Sequence, residues 1–312
     1  MLTVQMLTKN NEKTILDTFE SMVVFKPRFL VGDYGSTDRT LDICKRFDAE
    51  IVRFKGMPRN EARNRLTEKN KEGWNLWVEP WENVLQNFQS YQKINDDKAY
   101  VRVINGNIIT WELRLWKNKA KFINPIFENI DSNNGTSSSM ILSSQGGVIL
   151  DENIEILNEW KASDPISNKP YYYQACVYLA QGKYEEFMKI ADHYLFLDKS
   201  INMSTTMTRY YQALVYLSHY KSVKNSLKNL NLCLCVKPLM AEFWCLTGDV
   251  YYHLLHKFEM AKEFYENALV LGQKRLNSDR WPMDVSKYGK YPNMMIESCN
   301  KILKNNSNYI PV

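Results

Sequence analysis

The second half of the chain repeats itself, and this constrains the fold more than any other feature. An aromatic-rich segment with helical spacing occurs three times, and each copy is followed by a further aromatic residue at a turn: Tyr184, Tyr220 and Phe258. The copies occupy residues 171–179, 210–217 and 243–252. The turn residues are 36 and 38 positions apart. One helix pair per copy is predicted, and because such a pair cannot bury its apolar face alone, the copies should stack.

The third copy has the most complete pattern, with Trp244, Gly248, Tyr251, Ala261 and Tyr265 at regular spacing. Its residues and the period resemble the tetratricopeptide repeat, a helix–turn–helix unit. The resemblance implies an all-helical solenoid over residues 151–312, in which most aromatic side chains form the core. Residues 280–303 depart from the repeat and are predicted to form a loop and a terminal helix that caps the array. An acceptor-binding loop is the alternative for this tail.

The first half alternates strands and helices. Apolar runs predict strands at residues 1–7, 29–32, 50–52 and 74–78, and the segments between them have helical spacing or helix-start signals. This alternation predicts βαβ units with a parallel sheet in a domain of residues 1–150. An Asn-Gly turn at residues 105–106 predicts a hairpin. Residues 131–147 are rich in Ser, Asn and Gly, and we expect a loop there, either a linker or an active-site lid.

Polar side chains follow each predicted strand. Ligands of open α/β sheets bind beyond the carboxyl ends of the strands, so these side chains should converge on one site. They are Thr8 and Asn10, Asp33, Arg53 and Lys55, and the segment from Glu79 to Glu82.

Several segments in this half resemble family 2 glycosyltransferases of the GT-A fold. They are residues 6–10 (MLTKN), 31–40 (VGDYGSTDRT), 62–64 (ARN), 74–82 (WNLWVEPWE), 113–116 (LRLW) and 126–128 (IFE). The resemblance implies a Rossmann-like nucleotide-sugar domain. It also implies an inverting transferase that uses a nucleotide-sugar donor, with UDP as the default nucleotide.

The same resemblance assigns roles to individual residues. Asp33 is placed to bind the base or ribose, whereas Asp38 is expected only to cap a helix. The candidates for the base that deprotonates the acceptor are Glu128 and Glu82. The full set of donor-binding candidates is Thr8, Asn10, Asn11, Asp33, Gly35, Arg59, Arg63, Asn64, Glu79, Trp81 and Arg114.

The chain departs from the family at the metal site. Trp81 stands where the family has a metal-binding Asp, and Phe127 stands where it has His. Neither ring can ligate Mn²⁺ or Mg²⁺, which here need oxygen ligands. Two alternatives remain open: Glu79 and Glu82 hold the metal in a shifted geometry, or basic side chains neutralise the diphosphate without metal. The basic candidates are Arg53, Lys55, Arg59, Arg63 and Arg65.

Composition bears on the partners and the cellular compartment that we expect for this protein. Of 312 residues, 40 are basic and 35 acidic, and the net charge of +5 has no basic tail, so nucleic acid is neither indicated nor excluded as a partner. The six cysteines show no zinc-binding spacing, which favours free thiols in a reducing compartment. No apolar run is long enough to span a membrane and no leader pattern opens the chain, so we expect a cytoplasmic protein.

Three functions fit these features. The first is a glycosyltransferase whose helical repeats select a protein, peptide or glycan acceptor, or pair two copies as a homodimer. The second is a glycosyltransferase-like scaffold that has lost activity. The third is a transferase that attaches sugar to nucleic-acid bases.

Overall fold

The computed structural model describes residues 2–70, 72–117, 120–125, 129–131, 135–144, 152–276 and 278–307. The chain divides into two compact units, residues 1–148 and 149–312. No helix among the described residues has both the length and the apolar character that crossing a membrane requires.

The N-terminal unit begins with four parallel strands. They are β1 (Leu2–Thr8), β2 (Arg28–Asp33), β3 (Glu50–Arg53) and β4 (Trp74–Trp77), arranged in the order β3-β2-β1-β4. Helices α1 (Ile15–Val23), α2 (Thr40–Arg46) and α3 (Arg59–Lys69) connect them. The predicted alternation of strands and helices in this region is therefore confirmed.

Both faces of this parallel part are covered, which explains why β1 is buried along its whole length. Val4 and Met6 pack in a core with Ile15 and Phe19 of α1. A second cluster places Leu7 and Leu30 against Ala62 and Leu66 of α3.

The rest of the sheet makes it mixed rather than parallel. Four more strands belong to it: β5 (Glu82–Gln86), β6 (Lys98–Asn105), β7 (Ile108–Lys117) and β10 (Thr136–Ser144). The strand order continues β4-β7-β6-β10-β5, with β7 antiparallel to β4 and to β6. A 3-10 helix spans Phe88–Lys93, and a separate small pair is formed by β8 (Phe122–Ile123) and β9 (Asn129–Ile130). The predicted parallel βαβ sheet is present in the first four strands, and the rest of the sheet is mixed, with β10 parallel to β6 and antiparallel to β5.

The predicted hairpin of β6 and β7 is present, with Gly106 at a positive φ of 57° in its turn. The loop predicted over residues 131–147 is wrong for residues 136–144, which form β10, whereas residues 132–134 and 145–147 lie outside the described residues. Met140 and Leu142 are fully buried in the core, and the Ser138 hydroxyl donates to the carbonyl of Tyr100. Serines enter this strand because their hydroxyls and backbone groups find hydrogen-bond partners.

The C-terminal unit consists of tandem helix hairpins. After α4 (Glu152–Ser163), three hairpins follow: α5 (Lys169–Ala180) with α6 (Tyr184–Leu197), α7 (Met203–Ser218) with α8 (Val223–Val236), and α9 (Ala241–His253) with α10 (Phe258–Gly272). The predicted all-helical, tetratricopeptide-like array is confirmed. A short extended segment, Met283–Asp284, and a 3-10 helix, Val285–Tyr288, lead to α11 (Lys290–Ser307).

The third hairpin shows why the repeat residues are needed. A Cβ atom at Gly248 of α9 would lie 2.7 Å from the ring of Tyr265 on α10. The Tyr265 hydroxyl donates to Asp249, and so does the hydroxyl of Tyr291 on α11. The tail therefore packs on the last hairpin, as expected of a capping helix.

Candidate functional site

The loops that follow β1 and β2 are tied together by polar side chains. Asn10 has a positive φ of 55°, and its side-chain oxygen accepts a hydrogen bond from the backbone N–H of Thr37 at 2.8 Å. The Asn11 oxygen accepts from the hydroxyl of Thr8 at 2.9 Å, and the Asn11 backbone N–H donates to Thr40. Three of the predicted donor-binding residues thus shape the edge of the sheet.

Asp33, the last residue of β2, is only 1% exposed and folds the turn after its strand. Its carboxylate accepts from the backbone N–H of Gly35 at 3.1 Å and from that of Ser36 at 3.0 Å. Gly35 has a φ of +85°, a conformation that side chains disfavour. The turn therefore depends on both predicted residues.

Asp38 lies one residue before Arg39, the N-cap of α2, so its carboxylate supports the turn into the helix rather than capping it as predicted. Its carboxylate accepts from the backbone N–H groups of Thr40, the first residue of α2, and of Glu12. Burial works to raise the pKa of Asp38, but hydrogen bonds from Thr40 and Glu12 outweigh it and hold the pKa below its usual value. The helix begins later than predicted because residues 36–39 complete this turn.

A pocket of about 540 Å³ opens at the carboxyl ends of β2 and β3. Asp33 pairs with Arg53 in the register of the two strands, which brings a buried carboxylate and an exposed guanidinium to the same edge. Lys55 lies two residues further and is also exposed. Within the described part of the chain neither Arg53 nor Lys55 forms an ion pair. The lining residues are Asp33, Tyr34, Gly35, Ser36, Leu41, Arg53, Phe54 and Lys55.

A second group of predicted residues surrounds Trp77 at the end of β4. Arg63 on α3, only 1% exposed, pairs with Glu79 at 2.6 Å between Nη2 and Oε1. The Trp77 indole N–H donates to the same oxygen, and Arg59 lies 3.5 Å from the other one. The Arg63 guanidinium lies over the Trp77 ring, 3.7 Å from its centroid. Glu79 is thus held by two arginines and an indole.

Arg114 of β7 completes this group. It contacts both oxygens of Glu82, at 2.8 and 3.1 Å, and also pairs with Glu112 at 2.7 Å. Its guanidinium lies 4.5 Å from the Trp77 centroid. Burial raises the pKa of Glu82 to about 7: the opposing pull of Arg114 does not compensate, and the charges of Glu79 and Glu112 add to the rise. We call Arg59, Arg63, Trp77, Glu79, Glu82, Glu112 and Arg114 the Trp77 cluster.

The remaining predicted site residues belong to neither the Asp33 turn nor the Trp77 cluster. Asn64 clamps the backbone of Phe122, accepting from its N–H at 2.7 Å and donating to its carbonyl at 3.1 Å, so both ends of its amide are engaged. Trp81 is half-buried. Glu128 and Phe127 lie outside the described residues. The hydrogen bonds of the predicted residues therefore form two groups, one at the Asp33 turn and one around Trp77.

Sequence reasoning missed Trp77 and Glu112. Glu112 precedes Arg114 by two residues on an alternating strand, and this spacing places both side chains on one face. That signal could have found Glu112. Trp77 looked like an ordinary apolar strand residue.

The residues that the resemblance implies for a metal do not fit one. Each carboxylate of the Glu79–Glu82 segment is already engaged by guanidinium groups. Among the described residues there is no group of three or more His, Cys, Asp or Glu side chains that could hold an ion. The shifted Glu79 and Glu82 metal site is therefore not formed by this arrangement.

The helical unit has a cavity of its own, about 490 Å³, between residues of the second and third hairpins. Four leucines, Leu214, Leu217, Leu246 and Leu254, make it largely apolar, and Lys221, Asp249 and His253 add charge or polarity. Such a combination is typical of small-ligand or side-chain pockets.

No protein family model and no curated protein sequence matches this chain. Solved structures with some similarity include MamA (residues 41 to the end) from Desulfovibrio magneticus RS-1, with 19% identity over 50% of this chain and 82% of that one, at a TM-score of 0.38. The first TPR domain of human RPAP3 has 17% identity, covers 46% of this chain and 97% of its own, and has a TM-score of 0.35. The first TPR of Spaghetti, solved with the HSP90 peptide SRMEEVD, has 17% identity over 51% and 99% at a TM-score of 0.33.

Proposed function

We propose that the N-terminal unit is a glycosyltransferase domain that binds a nucleotide-sugar and transfers its sugar with inversion. The observation that carries this proposal is the pocket in which buried Asp33 meets exposed Arg53 and Lys55. It lies at the carboxyl ends of parallel strands, where open α/β sheets bind nucleotides.

The pocket offers complementary chemistry to a nucleoside diphosphate. The Asp33 carboxylate has acceptor capacity beyond its two backbone partners and can receive a hydrogen bond from a base or ribose hydroxyl. Arg53 and Lys55 supply positive charge for the diphosphate, and arginine can contact phosphate oxygens in pairs. The volume of about 540 Å³ is in the usual range for ligands of this size.

Two further features support the GT-A assignment. The order β3-β2-β1-β4, with helices on both faces, matches what a Rossmann-like nucleotide domain needs. The segments that resemble family 2 glycosyltransferases include the Asp33 turn itself and the Glu79–Glu82 strand end.

The catalytic base must reach the acceptor hydroxyl, and Glu82 is not placed to do so. Both oxygens of Glu82 are held by Arg114, one also accepts from the backbone N–H of Glu79, and the side chain is 2% exposed. An acceptor cannot approach a carboxylate in that position. We therefore propose Glu128 as the base.

The helical unit would bring the acceptor. A protein or peptide suits it best, because an apolar cavity lined also by Lys221 and Asp249 can take an apolar side chain next to a polar or charged group. The cytoplasmic location and the pairing of two copies stay predictions from the sequence.

The proposal is tested by thermal unfolding of the full chain with UDP, GDP, CMP and TDP. A ligand that binds only the folded state raises the melting temperature. Replacing Arg53 and Lys55 together by Ala should weaken nucleotide binding about tenfold or more, because hydrogen bonds to charged groups are lost. The matched control is Lys69→Ala with Lys93→Ala, which removes two exposed cations outside the pocket lining.

No stabilisation by any nucleotide would contradict the proposal and favour the scaffold function. Binding of DNA or RNA that weakens steeply with salt would favour the nucleic-acid function instead. Hydrolysis or transfer of the sugar from the donor that binds is the second measurement, and Glu128→Gln should abolish it without changing nucleotide affinity.

A further inference from the structure

We propose that this protein binds the diphosphate of its donor without a divalent metal ion, with Arg53 and Lys55 in the place of the metal. The inference rests on the proposed function, since it concerns how the same pocket neutralises its ligand. It departs from what the sequence resemblance implies, which is a carboxylate-held Mn²⁺ or Mg²⁺.

The first argument is that the carboxylates in the metal-binding segment already have partners. Glu79 is contacted by Arg63 at 2.6 Å and by Arg59 at 3.5 Å, and Glu82 is held at two oxygens by Arg114. A metal ion would have to displace these guanidinium groups. The displaced arginines would then be left next to the ion in a buried region, where like charges repel strongly.

The second argument is the charge of the whole Trp77 cluster. It contains three arginines and three glutamates, so that its formal charge is zero with every group ionised. An oxygen-based metal site needs an excess of negative charge to compensate the dehydration of the ion. The described residues of the Trp77 cluster offer no such excess.

The third argument comes from the pocket. Among the described residues of its lining, Asp33 is the one acidic residue and Arg53 and Lys55 are the two basic ones, so this part of the lining has a net charge of +1. Asp33 also already accepts two backbone hydrogen bonds in its turn. A pocket with this balance attracts a diphosphate and repels a free divalent cation.

The test is calorimetric titration of the full chain with UDP, or with whichever of the four nucleotides stabilises it, once in EDTA and once in Mn²⁺. We expect the two dissociation constants to agree within about threefold. The variant Arg53→Ala with Lys55→Ala should lose about tenfold or more in both buffers, whereas Lys69→Ala with Lys93→Ala should keep the wild-type affinity. Because all four substitutions are at exposed positions, folding should be preserved.

The outcomes separate the two proposals. Binding that needs Mn²⁺ overturns the metal-free inference and leaves the proposed function standing. If the affinity in EDTA is unchanged by the Arg53 and Lys55 substitutions, the metal-free inference is also overturned, because other groups must then neutralise the diphosphate. If no nucleotide binds in either buffer, the proposed function itself fails and the inference fails with it.

Discussion

Asp33 shows that a carboxylate that shapes a turn can also line a pocket. It closes a turn through the N–H groups of Gly35 and Ser36, and it also faces a pocket. The sequence treats the two roles as alternatives, because a turn-forming Asp and a ligand-binding Asp have the same local pattern. The structure leaves room for both roles, since a carboxylate has more acceptor sites than the turn uses.

The charged residues around Trp77 show that the role of a charged side chain cannot be predicted from that residue alone. The sequence assigns Arg63 and Arg114 to the donor, yet both are buried and paired. Their partners are 16 and 32 positions away in the sequence. Nothing in the local sequence around an arginine tells which distant glutamate the fold will place beside it.

Glu82 gives a prediction at the residue scale. Its pKa in the folded protein is about 7, above the ordinary value of 4.5, so the folded state holds this proton more tightly than the unfolded state does. The stabilising effect of the bound proton is complete below pH 4.5 and is lost as the pH rises through 7. Relative to Glu82→Gln, the wild-type protein should therefore lose up to about 1.4 kcal/mol of stability per pH unit over this range.

The measurement is urea unfolding of both proteins between pH 5 and pH 8. Glu50→Gln is the control: Arg28 and Lys69 hold the pKa of Glu50 below its usual value, although burial opposes them, so its effect on stability should be flat over this range. A difference between the two proteins that stays flat from pH 5 to pH 8 would mean that Arg114 dominates and keeps Glu82 ionised.

At the scale of elements, β10 is the most informative strand, because the sequence predicts a loop in its place. Residues 131–147 look like a loop because they are rich in Ser, Asn and Gly. Within them Ser138, Met140 and Leu142 are buried whereas Ser137 and Ser139 are exposed, which is the alternation of a strand. The loop-like composition hid the alternation of buried and exposed residues. Pairing with β5 and β6 made this segment a strand.

The third helix hairpin gives a prediction at this scale. Gly248→Ala should destabilise the protein by about 1–3 kcal/mol, although alanine favours helix, because the new methyl group would overlap the Tyr265 ring. Asn267→Ala, at an exposed position of α10, is the control and should be neutral or slightly stabilising. Urea unfolding followed by circular dichroism measures both. A Gly248→Ala protein as stable as the wild type would show that the two helices can move apart at little cost.

At the scale of the whole molecule, each unit has its own core. Leu142 belongs to the sheet core of the N-terminal unit, and Tyr265 to a cluster of the C-terminal unit. Leu142→Ala removes a fully buried side chain and should destabilise its unit by about 2–5 kcal/mol. We expect hydrogen exchange to become faster in β6 and β10 of this variant and to stay unchanged in α9 and α10.

Gly248→Ala should give the reverse pattern in the same experiment, and Ser139→Ala, at an exposed position of β10, should change neither unit. If either core substitution speeds exchange in both units, the two cores unfold together rather than separately.

The sequence by itself determined the features that depend on local periodicity. The repeat of 36 to 38 residues determined the helix hairpins, and the alternation of apolar runs determined the first four strands. Both follow from the geometry of short segments, whose apolar faces must be buried whatever the rest of the chain does. The hairpin around Gly106 was likewise set by its two turn residues.

Tertiary structure alone decided the rest. It placed a pocket beside Asp33, it paired the charged residues around Trp77 with one another, and it assigned Asn64 to the backbone of Phe122. The physical reason is that the partner of a charged or polar side chain depends on which distant elements the fold brings within hydrogen-bond distance. Strand order and register make that choice, and no local pattern records it.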